Sequence, residues 1–88
     1  MTNIPKDGKV LLKFSASWCG PCKMLSKVIE GVELNLPVIE IDIDEQFELS
    51  NMYQIRNVPT LVLLDNGEEV KRKSGVMQAA QLKEFIND

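Results

Sequence analysis

Hydrophobic and polar positions along this chain keep two different rhythms. Lys9 to Ser15 (Lys-Val-Leu-Leu-Lys-Phe-Ser) is short and mostly apolar, which predicts a strand. From about Pro21 to Leu34, the apolar residues Leu25, Val28, Ile29 and Val32 recur at helical spacing. Lys23, Lys27 and Glu30 fall on the other side of that helix. Pro37 then opens a second strand, Val38 to Ile43. Asp44 is placed to cap a short helix through Tyr53, with Glu45 favourable in its first turn. Val58-Pro59-Thr60 leads into a third strand, Leu61 to Leu64. Asp65-Asn66-Gly67 is a hairpin turn signal. The fourth strand, Glu68 to Ser74, carries five charges, which suits a sheet edge protected from unwanted pairing. A last helix, about Ala79 to Asn87, would bury Leu82, Phe85 and Ile86.

The predicted order is strand, helix, strand, helix, hairpin, helix. A helix joining the first two strands makes them parallel, with a right-handed crossover. The turn between the last two strands is too short for a crossover, so they run antiparallel. The expected fold is α/β: a four-stranded mixed sheet with helices on its faces.

Composition narrows the function classes. A chain of 88 residues makes one domain, 1–88, with a modest buried fraction. Its 44% hydrophobic and 26% charged residues are those of an ordinary globular domain. The net charge of −3 and the short basic run Lys71-Arg72-Lys73 leave no stripe for phosphates, so no nucleic-acid partner is expected. No apolar stretch approaches the ~20 residues of a membrane helix. Met1 to Gly8 has no hydrophobic signal core, so a cytoplasmic location is expected. Nothing in the sequence asks for a dimer, and a monomer is expected.

The candidate chemistry lies in Trp18-Cys19-Gly20-Pro21-Cys22. Both cysteines are here, and the chain has no histidine. In a reducing compartment, paired thiols are catalytic or metal-binding more often than structural. A zinc knuckle needs four ligands, and two thiolates supply half of them. Asp42 and Asp44 resemble a metal pair only superficially, so no metal is expected. Cys22 begins a face with Leu25 and Ile29 and would look toward the core. Cys19, just before the helix, would meet its unpaired N–H groups and the positive end of its dipole. Both favour a thiolate and lower the thiol pKa. The reading is an exposed Cys19 that attacks and a sheltered Cys22 that resolves the mixed disulfide. Pro21 fits the first helical turn, where its missing N–H costs little. Trp18 reads as a substrate surface beside the reactive sulfur, or else as packing. Lys23 reads as solvated, Met24 and Met52 as core filler, and Phe47 and Tyr53 as packing for the short middle helix.

The run Trp18-Cys19-Gly20-Pro21-Cys22-Lys23 after an apolar strand resembles the active site of the thioredoxin family. Val58-Pro59-Thr60 is similar to the family's cis-proline loop, Gly75 to a glycine that lets substrate backbone approach, and Gln81 to Phe85 to its last helix. The likeness spans about Val10 to Ile86. It implies a dithiol–disulfide oxidoreductase that reduces protein disulfides, with no cofactor beyond the Cys19–Cys22 pair. A thioredoxin reductase, or glutathione in a glutaredoxin-like variant, would be the electron donor. Substrate would meet Trp18, Val58, Pro59, Thr60 and Gly75, and Gly20 and Pro21 would support the dithiol. Pro59 would be cis. A non-catalytic binding subunit with the same surface is the other reading, and a cluster shared between two chains a more distant one.

Three departures from the family pattern stand out. About eight residues precede Lys9, so a strand and helix usual there are not expected, and the core is glutaredoxin-sized. Lys27 holds the place of a kink-forming proline, so the first helix would run straighter. Lys13 stands where the family has a buried aspartate, and Glu40 where it has the partner lysine. Glu40 could take the proton of the inner thiol, Lys13 could stabilise a thiolate, or the two could form a structural ion pair.

Overall fold

In the computed structural model, residues 3–87 are described; Met1, Thr2 and Asp88 of the opening and closing segments lie outside them. The elements are β1 (Lys9–Ser15), α1 (Gly20–Glu30), β2 (Val38–Asp42), α2 (Phe47–Met52), β3 (Thr60–Asp65), β4 (Glu68–Ser74) and α3 (Ala79–Asn87). The strands form one sheet in the order β2-β1-β3-β4. β1 and β2 are parallel, and the other two pairings are antiparallel, as expected.

β1 is central and is buried at every position after Lys9. A strand covered on both faces can be apolar throughout, which is why its sequence does not alternate. Its residues still divide by face. Val10, Leu12 and Phe14 join Ile41, Val62 and Leu64 in one core, against Leu49 and Tyr53 of the α2 region. Leu11 joins Leu61 and Leu63 in the other, with Leu25 of α1 and Leu82 and Ile86 of α3. Lys13 and Ser15 follow Leu11 at a period of two, so they lie under α1. The hairpin uses Asn66 and Gly67 at positive φ (52° and 85°), the geometry that an Asn-Gly pair accepts at low cost. β4 is the charged edge, and Arg72 forks onto Glu69 with two bonds of 2.7 Å.

Several expectations are corrected. α1 ends at Glu30, not near Leu34: the Gly31 N–H closes the last turn onto Lys27 and Val28, and the chain then leaves toward Pro37. β2 ends one residue early at Asp42, although the Ile43 N–H still bonds the Ser15 carbonyl. β3 begins at Thr60 and runs to Asp65, one residue beyond each expected end. Asp44 caps no helix. α2 starts at Phe47, and Asp42 instead accepts the Asp44 and Glu45 N–H groups in the turn after β2.

Phe47, Met52 and Met24 are exposed and are not packing residues. A six-residue helix buries one narrow face, here Leu49 and Ser50 with the capping Tyr53; Phe47 and Met52 fall on either side of it. Met24 lies on the side of α1 away from Cys22 and Leu25. Tyr53 packs as expected, its ring 5.6 Å from that of Phe14.

Candidate functional site

Cys19 and Cys22 are joined as a disulfide, with Cα atoms 5.3 Å apart. Cys19 is the N-cap of α1, and its Sγ accepts the backbone N–H of Cys22 at 3.1 Å. Pro21 occupies the first helical turn, where no N–H is needed. A helix start thus places one donor on the outer sulfur and aligns the dipole behind it.

Cys19 is not exposed in this oxidised form. It is 4% accessible, against 2% for Cys22. Ala16 joins both cysteines in a small cluster, flanked by Ile43 and Val58, and these cover the disulfide from the side. The sulfur of Cys19 lies 3.8 Å from the Val58 carbonyl oxygen.

Val58–Pro59 is a cis peptide, as the resemblance implied. The loop that carries it is pinned by Thr60 and Gly75, together with Asn57 and Ser74, to which the sequence assigns no role. Thr60 donates to the Asn57 carbonyl at 2.7 Å and meets the Ser74 hydroxyl at 3.1 Å. Ser74 donates to the Asn57 side chain at 3.0 Å. The Gly75 N–H closes the arrangement on the Pro59 carbonyl at 2.9 Å. Thr60 itself is buried, so it braces the loop from inside. Asn57 and Ser74 sit at ordinary loop and strand-end positions, where no sequence signal separates a brace from a solvated residue.

Gly75 adopts φ 94°, a conformation that a side chain resists, and a Cβ there would point into open space. Gly75→Ala is expected to cost about 1–2 kcal/mol in urea unfolding from backbone strain alone. If the open side is a contact surface, KM for a protein disulfide rises as well.

Trp18 is largely exposed beside the disulfide, and its indole N–H donates to Asp44 at 2.9 Å. Asp44 therefore anchors an exposed ring. Gly20 and Lys23 are exposed near the start of α1.

Behind the disulfide lies a polar cavity of about 460 Å³, lined by Cys22, Lys13, Ser15, Ser26, Glu40 and Asp42 among others. Lys13 is 3% accessible. Its ammonium donates to Glu40 at 3.2 Å and to the hydroxyl of Ser26. The pair follows from register, since Lys13 and Glu40 are direct partners on β1 and β2. Ser15 donates to the same Glu40 oxygen at 2.9 Å. That hydrogen bond, and then the hydrogen bond and charge of Lys13, hold the Glu40 carboxyl below its ordinary pKa against partial burial. With the Glu40 side chain 61% accessible, the ion pair adds little to stability. Among the described residues, no group of three or more histidine, cysteine or acidic side chains is arranged to hold a metal ion.

The family model for thioredoxin matches residues 2–88. A thioredoxin-like protein of Synechocystis is 46% identical over 77 residues, covering 83% of this chain and 73% of that protein. The thioredoxin of Bacillus subtilis is 38% identical over 85 residues, covering 92% and 82%. Among solved structures, a mutant thioredoxin from Halobacterium salinarum superposes with a TM-score of 0.85 at 41% identity, covering 91% of this chain and 73% of that one.

Proposed function

The chain belongs to the thioredoxin family and is a thiol–disulfide oxidoreductase, and from that premise we propose the roles of its residues and its electron donor. Cys19 is the attacking sulfur and Cys22 the resolving one. The observation that carries this assignment is the N-cap: Cys19 Sγ alone receives a backbone N–H from the helix start. A thiolate there keeps that donor, and a hydrogen bond to a charged acceptor is stronger than one to a neutral sulfur.

The reaction proceeds in two exchanges. Cys19 thiolate attacks one sulfur of a substrate disulfide, forms a mixed disulfide and expels the other sulfur as a thiolate, which takes a proton from water. Cys22 then loses its proton and attacks Cys19 Sγ. The second substrate sulfur leaves, and the Cys19–Cys22 disulfide forms. The substrate has gained two electrons and the chain has lost two. Substrate approaches across Trp18, Val58, Pro59 and Gly75 in this reading. The cis-proline loop leaves the Val58 backbone beside Cys19, where an extended strand can pair with it. Thr60, whose side chain is buried, braces that loop in this reading.

The family acts generally on protein disulfides with a thioredoxin reductase, and the same donor is proposed for this chain. The Gly-Pro pair between the cysteines supports it over glutathione. Insulin reduction followed by turbidity separates the two. With NADPH and a thioredoxin reductase, steady turnover is expected, at least tenfold faster than with millimolar glutathione. Turnover with glutathione alone would reverse the assignment of the donor. No turnover with either would return the chain to the binding-subunit reading.

A further inference from the structure

The cavity behind the disulfide holds a charge that the two exchanges do not use. Lys13 is nearly inaccessible, yet it lines the same space as Cys22. One of its two hydrogen-bond partners is Ser26, four residues after Cys22 on α1 and so one turn along the same helix face. Its other partner, Glu40, lies on β2 and lines the same cavity, with its side chain largely accessible.

We propose that Lys13 is a positioning residue for the resolving step: its buried ammonium, held between Ser26 and Glu40, favours the thiolate of Cys22 once the disulfide is open. The proposal rests on the reading that Cys22 resolves.

Of the two charges in the pair, Cys22 feels chiefly the buried one. Lys13 is 3% accessible and the Glu40 side chain 61%. Water screens an exposed carboxylate far more than a buried ammonium. The pair is also oriented, with its positive end toward α1 and its negative end toward solvent. Other charges line the cavity: Lys23 from α1, Asp42 from β2, and Glu45 from the segment before α2. Lys23, Asp42 and Glu45 are each more accessible than Lys13. The rival assignment, Glu40 as proton acceptor, is weakened by geometry. Its Oε1 accepts from both Ser15 and Lys13, which stabilises the carboxylate and makes it a weaker base.

The proton balance needs no internal base. The Cys22 proton passes to water in the cavity, and the ammonium stabilises the sulfur left behind. Ser26 holds the ammonium one turn along α1 from Cys22, because its oxygen accepts from Lys13.

The test isolates Cys22 in a Cys19→Ser background and titrates its thiolate by ultraviolet absorbance. That readout does not depend on turnover, so failure of this proposal and failure of the assigned reaction are distinguishable. Lys13→Met is expected to raise the Cys22 pKa by about one unit, as for loss of a nearby opposite charge. Lys13→Arg is expected to keep it within a few tenths. Glu40→Gln, which unmasks the ammonium, is expected to lower it. In the chain with Cys19 intact, Lys13→Met would slow decay of the mixed disulfide about threefold at pH 7. That figure is a tenfold loss of thiolate, offset by the higher nucleophilicity of a more basic sulfur. An unchanged Cys22 pKa in Lys13→Met makes the pair structural and overturns the proposal. If Lys13→Met does not fold, Glu40→Gln decides: an unchanged or raised Cys22 pKa overturns it.

Discussion

Reduced Cys22→Ser protein, mixed with a disulfide substrate, accumulates a stable mixed disulfide through Cys19, and turnover falls to background. Cys19→Ser forms no such adduct and is equally inactive. Exposure does not decide this, since both sulfurs are almost equally covered in the oxidised form. What separates them is the direction each faces. Cys19 caps α1 and lies against Val58, on the side of the cis-proline loop and Trp18. Cys22 lies within the helix and lines the polar cavity behind it. Substrate is proposed to approach the first side, where Trp18 is exposed and the Val58 carbonyl lies against the Cys19 sulfur. Once Cys19 is in a mixed disulfide, the substrate leaves only by attack from Cys22, three residues away and already its partner in the oxidised form. Serine cannot attack, so the adduct persists. Mass spectrometry of a non-reducing digest locates it. An adduct found on Cys22 in the Cys19→Ser protein, with turnover retained, would reverse the two roles.

The same pair shows how far sequence reasoning carried. The Cys-Gly-Pro-Cys spacing, the apolar strand before it and the proline in the first helical turn all name the N-cap position of Cys19. Each is local, and each is written in adjacent residues. The cis bond before Pro59 needed the family resemblance. Burial of Cys19 was misread, because it depends on Ile43 and Val58, which come from other parts of the chain. The brace of Asn57, Thr60 and Ser74 was invisible for the same reason. Asp44 reads as a cap in the sequence, but both aspartates suit one, and only the path after β2 decides that Asp42 meets free N–H groups while Asp44 meets the Trp18 indole. The Lys13–Glu40 pair was legible as a reversal of charge. Its contact with Ser26 and the cavity around it required the crossover that lays α1 over β1.

The two phenylalanines outside the last helix offer the sharpest test of the fold. Both look like packing residues in sequence, but Phe14 is 0% accessible and Phe47 70%. Phe14 fills the core on the α2 side of β1, among Val10, Leu12, Ile41, Val62 and Leu64, and meets the Tyr53 ring. Truncating it to alanine removes that burial and leaves a cavity that a central strand cannot close by moving. The expected loss is about 3–5 kcal/mol. A domain of this length has only about 4–13 kcal/mol of stability in total. Phe14→Ala should therefore lower Tm by more than about 10 °C and leave a measurable unfolded fraction at growth temperature. Phe47→Ala, the same change of side chain, is expected to stay within about 0.5 kcal/mol, as for an exposed position. Urea or thermal unfolding of the two variants side by side measures the difference. Comparable losses would mean that α2 packs against the sheet through Phe47, and would undo the assignment of that helix's inner face to Leu49 and Tyr53. Phe14 also sits between Lys13 and Ser15 on β1, so its loss loosens the strand that holds the floor of the cavity. Disulfide exchange in Phe14→Ala should then fall more steeply with temperature than the folded fraction alone predicts.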